Sequence, residues 1–358
     1  MSSIIQPTDL RIHPLPEAET IPSLWYTSEE IFAIEKEKIF AHSWQCLGRT
    51  SQVLTVGDYF LADIAGDPII VIRGKDGLLR AFYNVCRHRG GPLATSDGCV
   101  SHLQCQYHGW TYDLDGQLKG VPSFDGVLNF DKPSFGLVPI ELTEWEGFIF
   151  IRLEADTPLI EELLTGIPER IGSPALTELQ FHSRISYDVH CNWKLYVDNY
   201  LEGYHVPIVH PELMKLYDYR NYRTEVKDWY SFQHSPLNGT QNIYSSGEGE
   251  ALYYFIYPNL MLNILPGRLQ TNLVQPIDAT HCRVIFDYFY LPGTSEKMII
   301  EDQAFSDMVQ AEDIGICELV QRGVQSRSYD KGRFSVLQEE AVWHFQTLVK
   351  KALGSVTQ

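Results

Sequence analysis

Apolar and polar positions divide the chain into stretches of different pattern. Residues 24–43 carry apolar side chains at helical spacing after Thr27 or Ser28, which are residue types that cap helices, so they predict a helix. From residue 44 to about 153, short runs such as QVLTV, PIIVIR and GFIFIRL are separated by turns that contain glycine and aspartate. This second pattern predicts a small antiparallel β domain.

The remainder of the chain has a mixed pattern. A helical stretch lies near 158–170, where Pro168 is expected to end it, and SRISYDVHCNWKLYVDNYLEGYH passes from strand-like to helix-like spacing. Further along we predict strands at 229–232, 251–265, 269–276 and 282–291, and helices at 295–324 and 338–353. We therefore expect an α+β fold in three parts: an N-terminal helical segment, 1–43, and two domains, 44–155 and 156–358.

Two cysteine–histidine pairs lie in the predicted β domain, within CRHRGGPLATSDGCVSHLQCQYHGW. They are Cys86-x-His88 and Cys105-x-x-His108. Two thiolates and two imidazoles at the tips of two loops suit a structural zinc, but zinc ligands are usually separated by two to four residues within a pair, and only one separates the first pair. The alternative is a [2Fe–2S] cluster with cysteines on one iron and histidines on the other.

A second candidate site lies in DNYLEGYHVPIVHPEL, residues 198–213. His205 and His210 would differ by about 140° on an ideal helix, since each residue turns it by roughly 100°. Pro207 lies between them, and a proline that bends the helix would bring both imidazoles to one point.

Two histidines need a carboxylate to form the three-ligand face that leaves iron(II) open positions for O₂. The later helical segment QAEDIGICELVQ offers Asp313, and Glu312 or Asp307 is an equal candidate from spacing alone. A redox cluster and a mononuclear iron explain each other, because O₂ activation needs electrons that are delivered singly.

Over nearly its whole length the chain resembles the catalytic subunits of Rieske non-heme iron oxygenases. CRHRGGPL…CQYHGWTYDLDGQL is similar to the Rieske motif of that family, and DNYLEGYHVPIVHPEL to its iron-binding motif. The resemblance implies that a [2Fe–2S] cluster is held by Cys86, His88, Cys105 and His108, and mononuclear Fe(II) by His205, His210 and Asp313. It also implies a Rieske domain at 44–155 and a helix-grip catalytic domain at 156–358, on which the segment 1–43 packs.

The resemblance also implies a role for Glu202. In relatives, an acidic residue three positions before the first iron-binding histidine connects to a cluster histidine of the neighbouring subunit. Glu202 holds that position, where many members have aspartate, and is the expected electron-transfer bridge between subunits. A homotrimer and an electron donor, either a ferredoxin or a flavin reductase, are implied with it.

The C-terminal half, with TNLV and SYDKGR as its most particular pieces, looks most like the choline monooxygenases and the glycine-betaine and carnitine oxygenases. The resemblance implies hydroxylation or N-demethylation of a small quaternary ammonium compound, such as the oxidation of choline to betaine aldehyde. One alternative is hydroxylation of an aromatic or other hydrophobic molecule. Another is a non-catalytic [2Fe–2S] electron carrier, which would have no use for the second iron.

Charge and aromatic content are compatible with a cationic substrate. Lys+Arg 28 against Asp+Glu 46 gives a net charge of −18, which argues against nucleic acid and mildly favours a cation. Quaternary ammonium ligands bind in aromatic cages. Candidate cage residues, which are equally typical of buried strands, are Trp229, Tyr230, Phe232, Tyr244, Tyr253, Tyr254, Phe255 and Tyr257.

The N-terminal sequence has neither the basic nor the apolar region of a signal peptide, and no run approaches eighteen apolar residues. Seven cysteines, an odd number, are typical of a reducing compartment. We therefore predict a cytoplasmic protein that has no membrane span.

Overall fold

The structure is a computed structural model that describes residues 4–64, 66–154, 157–216, 218–238 and 249–354. The chain divides into two compact units: Phe40–Ile160, and Met1–Ile39 together with Glu161–Gln358. Antiparallel sheets and helices make up the described chain, and the α+β prediction is confirmed. The predicted β domain, 44–155, starts four residues later and ends five residues earlier than the unit Phe40–Ile160.

Short strands build the unit Phe40–Ile160. They are β1 (Gln45–Arg49), β2 (Asp58–Ile64), β3 (Asp67–Arg73), β4 (Leu79–Tyr83), β5 (Gly98–Cys99), β6 (Leu103–Gln104), β7 (Thr111–Tyr112), β8 (Leu118–Gly120), β9 (Pro139–Trp145) and β10 (Phe148–Arg152). An antiparallel sheet has the order β1-β10-β9-β4-β3-β2-β5, and β6, β7 and β8 form a smaller sheet. The apolar runs in β3 and β10 are buried because branched and aromatic side chains pack well on a pleated surface.

A seven-stranded antiparallel sheet forms the centre of the other unit. Its strands are β11 (Gln180–Val189), β12 (Arg223–Val226), β13 (Tyr230–Pro236), β14 (Glu250–Ile256), β15 (Leu260–Leu265), β16 (Arg268–Asp278) and β17 (His281–Tyr290). The order is β11-β17-β16-β15-β14-β13-β12. The single strand predicted at 251–265 is wrong, because a turn that contains Pro258 separates β14 from β15, and proline cannot donate to a strand ladder.

The helices of the described chain vary from single turns to long rods. They are α1 (Glu29–Glu35), α2 (Ile160–Leu163), α3 (Ile167–Ile171), α4 (Trp193–Tyr200), α5 (Val206–Val209), α6 (Pro211–Leu216), α7 (Glu296–Val324) and α8 (Glu340–Gly354). The two long helices α7 and α8 match the predicted helices 295–324 and 338–353. Ser295 caps α7, since its side chain accepts a hydrogen bond from the Met298 backbone N–H.

Ser28 caps the first helix as predicted, since its side chain accepts from the Ile31 backbone N–H; the helix starts at Glu29 and continues as a π-helical turn at Lys36–Phe40. Two other local predictions are wrong. Pro168 does not end a helix but lies in the first turn of α3, where its missing N–H is no loss. QVLTV is not a strand: its first residue, Gln52, closes a 3₁₀ turn by accepting from the backbone N–H of the residue before that turn.

The bend between His205 and His210 does not come from proline inside a helix. Helix α4 ends at Tyr200, and Pro207 lies in the first turn of the separate helix α5. His205 and His210 are the residues that flank α5, and their ring centroids lie 5.0 Å apart. A one-turn helix between two histidines therefore brings the rings together.

The N-terminal segment packs within the unit that contains the larger sheet. Glu35 of α1 makes a fully buried ion pair with Lys194 of α4 at 2.6 Å, and it accepts a hydrogen bond from the Trp193 indole at 2.8 Å. The Gln346 side chain of α8 accepts from the Ile21 backbone N–H at 2.8 Å. These contacts fix the start of α4, the helix that leads into the segment with His205 and His210.

None of the helices in the described ranges combines the length and the apolar character that a membrane crossing needs.

Candidate metal centres and catalytic cavity

Two loops of the same geometry carry the cysteine–histidine pairs. In each loop a glycine backbone N–H donates to the carbonyl of the cysteine four residues earlier: Gly90 to Cys86 and Gly109 to Cys105, both at 3.0 Å. Both glycines have positive φ, +74° and +72°, which side chains rarely adopt. The glycine that follows each pair is therefore a requirement of the turn.

The two histidines face each other across the loops. Their Nδ1 atoms are 3.2 Å apart, and the Trp110 ring stacks on His88 with centroids 4.9 Å apart. Burial, followed by His108 and Arg89, lowers the pKa of His88, which favours the neutral imidazole that a metal needs. Neither Trp110 nor the stacking is evident from the ligand spacing.

The two thiols are buried and neighbour each other. Cys86 is 2% and Cys105 is 3% exposed, and their side chains are in contact. Tyr112, which the sequence interpretation missed, places its hydroxyl 3.2 Å from the Cys86 sulfur and accepts from the Arg87 backbone N–H at 3.1 Å. Burial is the main cause of the raised pKa of the Cys86 thiol, so its deprotonation depends on metal binding.

The four side chains of the cysteine–histidine pairs do not converge on one point. Among the described residues, the only set of three or more ligand atoms within 4.8 Å of one another is His205, His210 and Asp313. A tetrahedral zinc would need the two thiols and two imidazoles to converge equally. Paired nitrogens beside paired sulfurs fit a two-iron cluster of mixed ligation instead.

His205, His210 and Asp313 form the second candidate centre. The Nε2 atom of His210 lies 2.9 Å from Oδ1 of Asp313, and the Nε2 atom of His205 lies 3.7 Å from the same oxygen. Helix α7 supplies Asp313, and the residues flanking α5 supply the histidines. Two imidazoles and one carboxylate that converge in this way fit a 2-His-1-carboxylate iron face.

A carboxylate contacts the Nδ1 atom of each histidine. Nδ1 of His205 lies 2.7 Å from Oε1 of Glu202, and Nδ1 of His210 lies 2.7 Å from Oε2 of Glu312. A carboxylate on Nδ1 orients the ring and leaves Nε2 for the metal. Burial alone lowers the pKa of His210, but the hydrogen bonds and charges of Asp313 and Glu312 outweigh it, and the pKa is raised.

The three carboxylates that spacing left open differ in their contacts. Glu312 contacts the outer nitrogen of His210, and Asp307 accepts a hydrogen bond from the Tyr187 hydroxyl. Asn199, which the sequence interpretation missed, donates from Nδ2 to Oδ1 of Asp313 at 2.6 Å. Of the three candidates, Asp313 alone meets both Nε2 atoms.

Glu202 and Asp198 have different surroundings. Glu202 contacts His205 twice, because Oε2 also accepts from the His205 backbone N–H at 3.0 Å. Asp198 accepts from the Tyr26 hydroxyl at 2.6 Å and from Gln346 at 3.1 Å, and burial raises its pKa to about 7. Asp198 therefore joins α4 to the N-terminal segment and α8.

A cavity opens beside the three converging ligands. One wall is a row of cross-strand neighbours on β13, β14, β15 and β16, namely Gln233, Tyr253, Asn263 and Gln270. Aromatic side chains line much of the remainder: Tyr196, Tyr200, Tyr222, Phe286 and Phe305. Arg268 also lines the cavity, where its charge is balanced by Asp302 at 3.0 Å.

Few of the aromatic residues predicted from strand clustering reach this cavity. Tyr253 lines it, whereas Tyr254 and Phe255 are buried at 1% and 2% exposure on the same strand. Tyr244 lies outside the described residues. A usable signal was present in LMLNIL and RLQTNLV, where polar residues interrupt apolar strands, because every second residue faces the same side. These polar positions mark the cavity face.

Comparison with known proteins gives two family matches. Residues 43–131 match the Rieske [2Fe–2S] domain, and residues 176–355 match the ring hydroxylating alpha subunit (catalytic domain). The chain is 35% identical to the chloroplastic choline monooxygenase of Arabidopsis thaliana, across 98% of this chain and 86% of that protein. It is 34% identical to the carnitine monooxygenase oxygenase subunit of Acinetobacter baumannii, across 93% and 94%.

Among solved structures, the chain resembles a quaternary ammonium Rieske monooxygenase that has been studied for carnitine oxidation and inter-subunit electron transfer. The TM-score is 0.88 at 30% identity, and the match covers 96% of this chain and 99% of that one. Both halves of the chain therefore have counterparts in one architecture.

Proposed function

Because this chain belongs to the Rieske non-heme iron monooxygenases, we propose that it oxidises a small quaternary ammonium compound, with choline as the first candidate. The observation that carries the proposal is the cavity beside His205, His210 and Asp313, which has aromatic and amide walls. Aromatic faces attract a quaternary ammonium by about 0.5–2 kcal/mol each, depending on desolvation. The relatives named for choline, carnitine and quaternary ammonium oxidation support the same substrate class.

The charges of the cavity are compatible with a cation. Glu202 and Asp313 contribute carboxylates, and the one guanidinium among the described lining residues, Arg268, is paired with Asp302. A cavity lined only by apolar side chains would favour the alternative substrate class, aromatic molecules. The amides of Gln233 and Asn263 make this cavity more polar than such a cavity.

Residues of the protein orient the metal-binding side chains and position the substrate. When bound, the cluster would supply single electrons and the mononuclear iron would supply O₂ activation. Glu202 and Glu312 hold the imidazole rings from their Nδ1 sides, and Asn199 holds Asp313 by donating to its Oδ1 atom. The aromatic walls exclude water and hold the ammonium group beside these ligands.

Oxidation of a C–H bond next to oxygen or nitrogen has two outcomes. On choline it gives the hydrate of betaine aldehyde, and on an N-methyl group it gives a hemiaminal that releases a demethylated amine and formaldehyde. We propose the first outcome, on the resemblance to the plant choline enzyme. A non-catalytic electron carrier is disfavoured, because it has no use for the second centre at His205, His210 and Asp313.

We propose three further features of the working enzyme. Electrons come from a ferredoxin or a flavin reductase, the assembly is a homotrimer, and Glu202 connects His205 to a cluster histidine of the neighbouring subunit. The contact between Glu202 and His205 supports the last of these. We also propose a cytoplasmic location, because thiols are kept reduced in that compartment and no cysteine of the described residues forms a disulfide.

A substrate panel tests the proposal. Protein with both metal centres is supplied with electrons and O₂ in the presence of choline, glycine betaine, carnitine or a simple aromatic acid, and products are identified by mass spectrometry. We expect an aldehyde or a demethylated amine from at least one quaternary ammonium compound. Hydroxylation of the aromatic acid alone would overturn the proposal. His205→Ala is the matched control, and should yield no product from any of them.

A further inference from the structure

Gln310 lies in the cavity wall one helical turn from the metal-binding face. It precedes Asp313 by three residues on α7, so the two side chains lie on the same side of the helix, about 4.5 Å apart along its axis. Gln310 is 2% exposed, and its Oε1 accepts a hydrogen bond from the Tyr196 hydroxyl at 2.7 Å. This bond fixes the orientation of the carboxamide.

The other end of the same carboxamide is unsatisfied. Within the described ranges, Nε2 of Gln310 has no hydrogen-bond partner, although it is buried. Native proteins rarely contain a buried donor without an acceptor, because no hydrogen bond compensates the free energy of removing it from water. Where one persists, the fold is strained there, or a water molecule or a ligand accepts the hydrogen bond. Gln310 lines the catalytic cavity while Nε2 itself has almost no accessible surface, so a small rotation of the carboxamide on ligand binding would bring this donor to an acceptor on the substrate.

We infer that Nε2 of Gln310 donates a hydrogen bond to an oxygen of the substrate, either a hydroxyl or a carboxylate that the quaternary ammonium compound carries. The inference rests on the proposed function and adds a specificity-determining residue to it. An oxygen held at Gln310 places the neighbouring carbons within a helical turn of Asp313, where oxidation would occur.

A donor of this kind discriminates more sharply than an apolar wall does. A site built to bond a substrate oxygen rejects the analogue that lacks it, because the donor is then left unpaired. The aromatic residues of the cavity, such as Tyr200 and Tyr222, attract any trimethylammonium group equally. Gln310 would therefore select the substrate, while the aromatic wall supplies affinity.

The test compares ligands of matched size. Dissociation constants are measured by calorimetry on the protein with both metal centres, without reductant so that no turnover occurs. Choline is compared with n-propyltrimethylammonium, in which a methyl replaces the hydroxyl, and glycine betaine supplies the carboxylate arm. We expect wild type to prefer one oxygen-bearing ligand by about 3–10-fold, the value of one net hydrogen bond. Which arm shows the preference distinguishes hydroxyl from carboxylate.

Gln310→Met keeps the length of the side chain and removes the donor, so it should abolish the preference while n-propyltrimethylammonium still binds. Tyr196→Phe removes the hydrogen bond to the carboxamide of Gln310 and should reduce the preference. This second variant tests the inference if Gln310→Met fails to fold. The control is Gln303→Met on the same helix, which donates to Ser183 and should keep the wild-type ratio.

Two negative results have different meanings. An unchanged ratio in both Gln310→Met and Tyr196→Phe overturns the inference and leaves the proposed function standing. Failure of wild type to bind any quaternary ammonium ligand overturns the proposed function, and the inference with it. A preference for n-propyltrimethylammonium in wild type also overturns the inference.

Discussion

Oε2 of Glu312 lies 2.7 Å from Nδ1 of His210, on the opposite side of the imidazole from Asp313. Adjacent residues of one helix thus contact the two nitrogens of one histidine. The pKa of His210 is raised by these carboxylates, so the metal-free protein holds a proton there at higher pH than an ordinary histidine does. On the proposed ligand set, iron has to displace that proton.

Glu312→Gln removes one of the two charges that raise this pKa. We expect the pH at which iron affinity reaches half of its own high-pH value to move to lower pH, because the proton competes less. At pH 8, iron affinity should fall by about 10–100-fold, the usual effect of losing a carboxylate behind a metal-bound histidine. Iron per chain is measured after dialysis against buffered Fe(II) across the pH range. Glu301→Gln, on the same helix at the Lys297 ion pair, is the control, and superimposable curves for both variants would refute the role of Glu312.

The ligands of the cluster are tested by its reduction potential. Reduced protein should show the rhombic EPR signal of a mixed-ligand [2Fe–2S] cluster. Replacing His88 or His108 with cysteine should lower the potential, because thiolate stabilises the oxidised iron more than imidazole does. His102→Ala, whose Nδ1 lies 3.0 Å from the Ser101 hydroxyl, should leave it unchanged. A potential that does not respond to either ligand variant would mean that the assignment is wrong.

Asp198 makes folding stability depend on pH. Burial raises its pKa to about 7, whereas an unfolded aspartate has a pKa of about 3.9. The stability provided by this proton is complete below the unfolded pKa and is lost as the pH rises through about 7. The Tm of wild type minus that of Asp198→Asn should therefore fall from about pH 5 to about pH 8 and then level off.

Thermal unfolding at a series of pH values measures this difference. The slope should not exceed about 1.4 kcal/mol per pH unit, the limit for one proton. Asp188→Asn is the control, since Asp188 is exposed and paired with Arg283, and its difference curve should stay flat. If the Asp198→Asn difference is also flat, the carboxyl is ionised in the folded protein at all these pH values.

Glu202→Gln tests the proposed bridge between subunits. The substitution keeps the shape but removes the charge that holds Nδ1 of His205, so iron affinity should fall as in Glu312→Gln, and the variant is loaded with excess Fe(II) until both metal centres are filled. An external donor should still reduce the cluster quickly. Transfer from cluster to iron should fail, and single-turnover product yield should drop by about 10–100-fold. A normal yield would show that electrons take another route.

Site residues that are close together in the sequence can be predicted from it, whereas those that come together only through the fold cannot. Cys86 and His88, or Cys105 and His108, are predictable because each pair lies on one tight loop with its glycine. Asp313 is 103 residues from His210, and choosing it over its neighbours requires the rotation of α7 against α5, which no local spacing encodes.

The residues that contact the candidate metal ligands are harder still to predict from the sequence. Asn199 contacts Asp313 and Glu312 contacts His210 only because the folded chain brings them together, and amide and acid side chains are common on helix surfaces. The expectation for Pro207 is wrong for a related reason. Spacing treats residues 198–213 as one helix, whereas helix α4 ends at Tyr200 and a new turn starts after His205.

Single turnover with choline tests the central claim, which is that a quaternary ammonium compound is oxidised at His205, His210 and Asp313. Protein with a pre-reduced cluster is mixed with choline and O₂, and betaine aldehyde per chain is measured for wild type, Asp313→Ala and Asp307→Ala. We predict aldehyde from wild type and Asp307→Ala, and none from Asp313→Ala, which should lose the mononuclear iron and keep the cluster absorbance. Aldehyde from Asp313→Ala at the wild-type level, or none from wild type with choline or any other quaternary ammonium compound, would contradict the account.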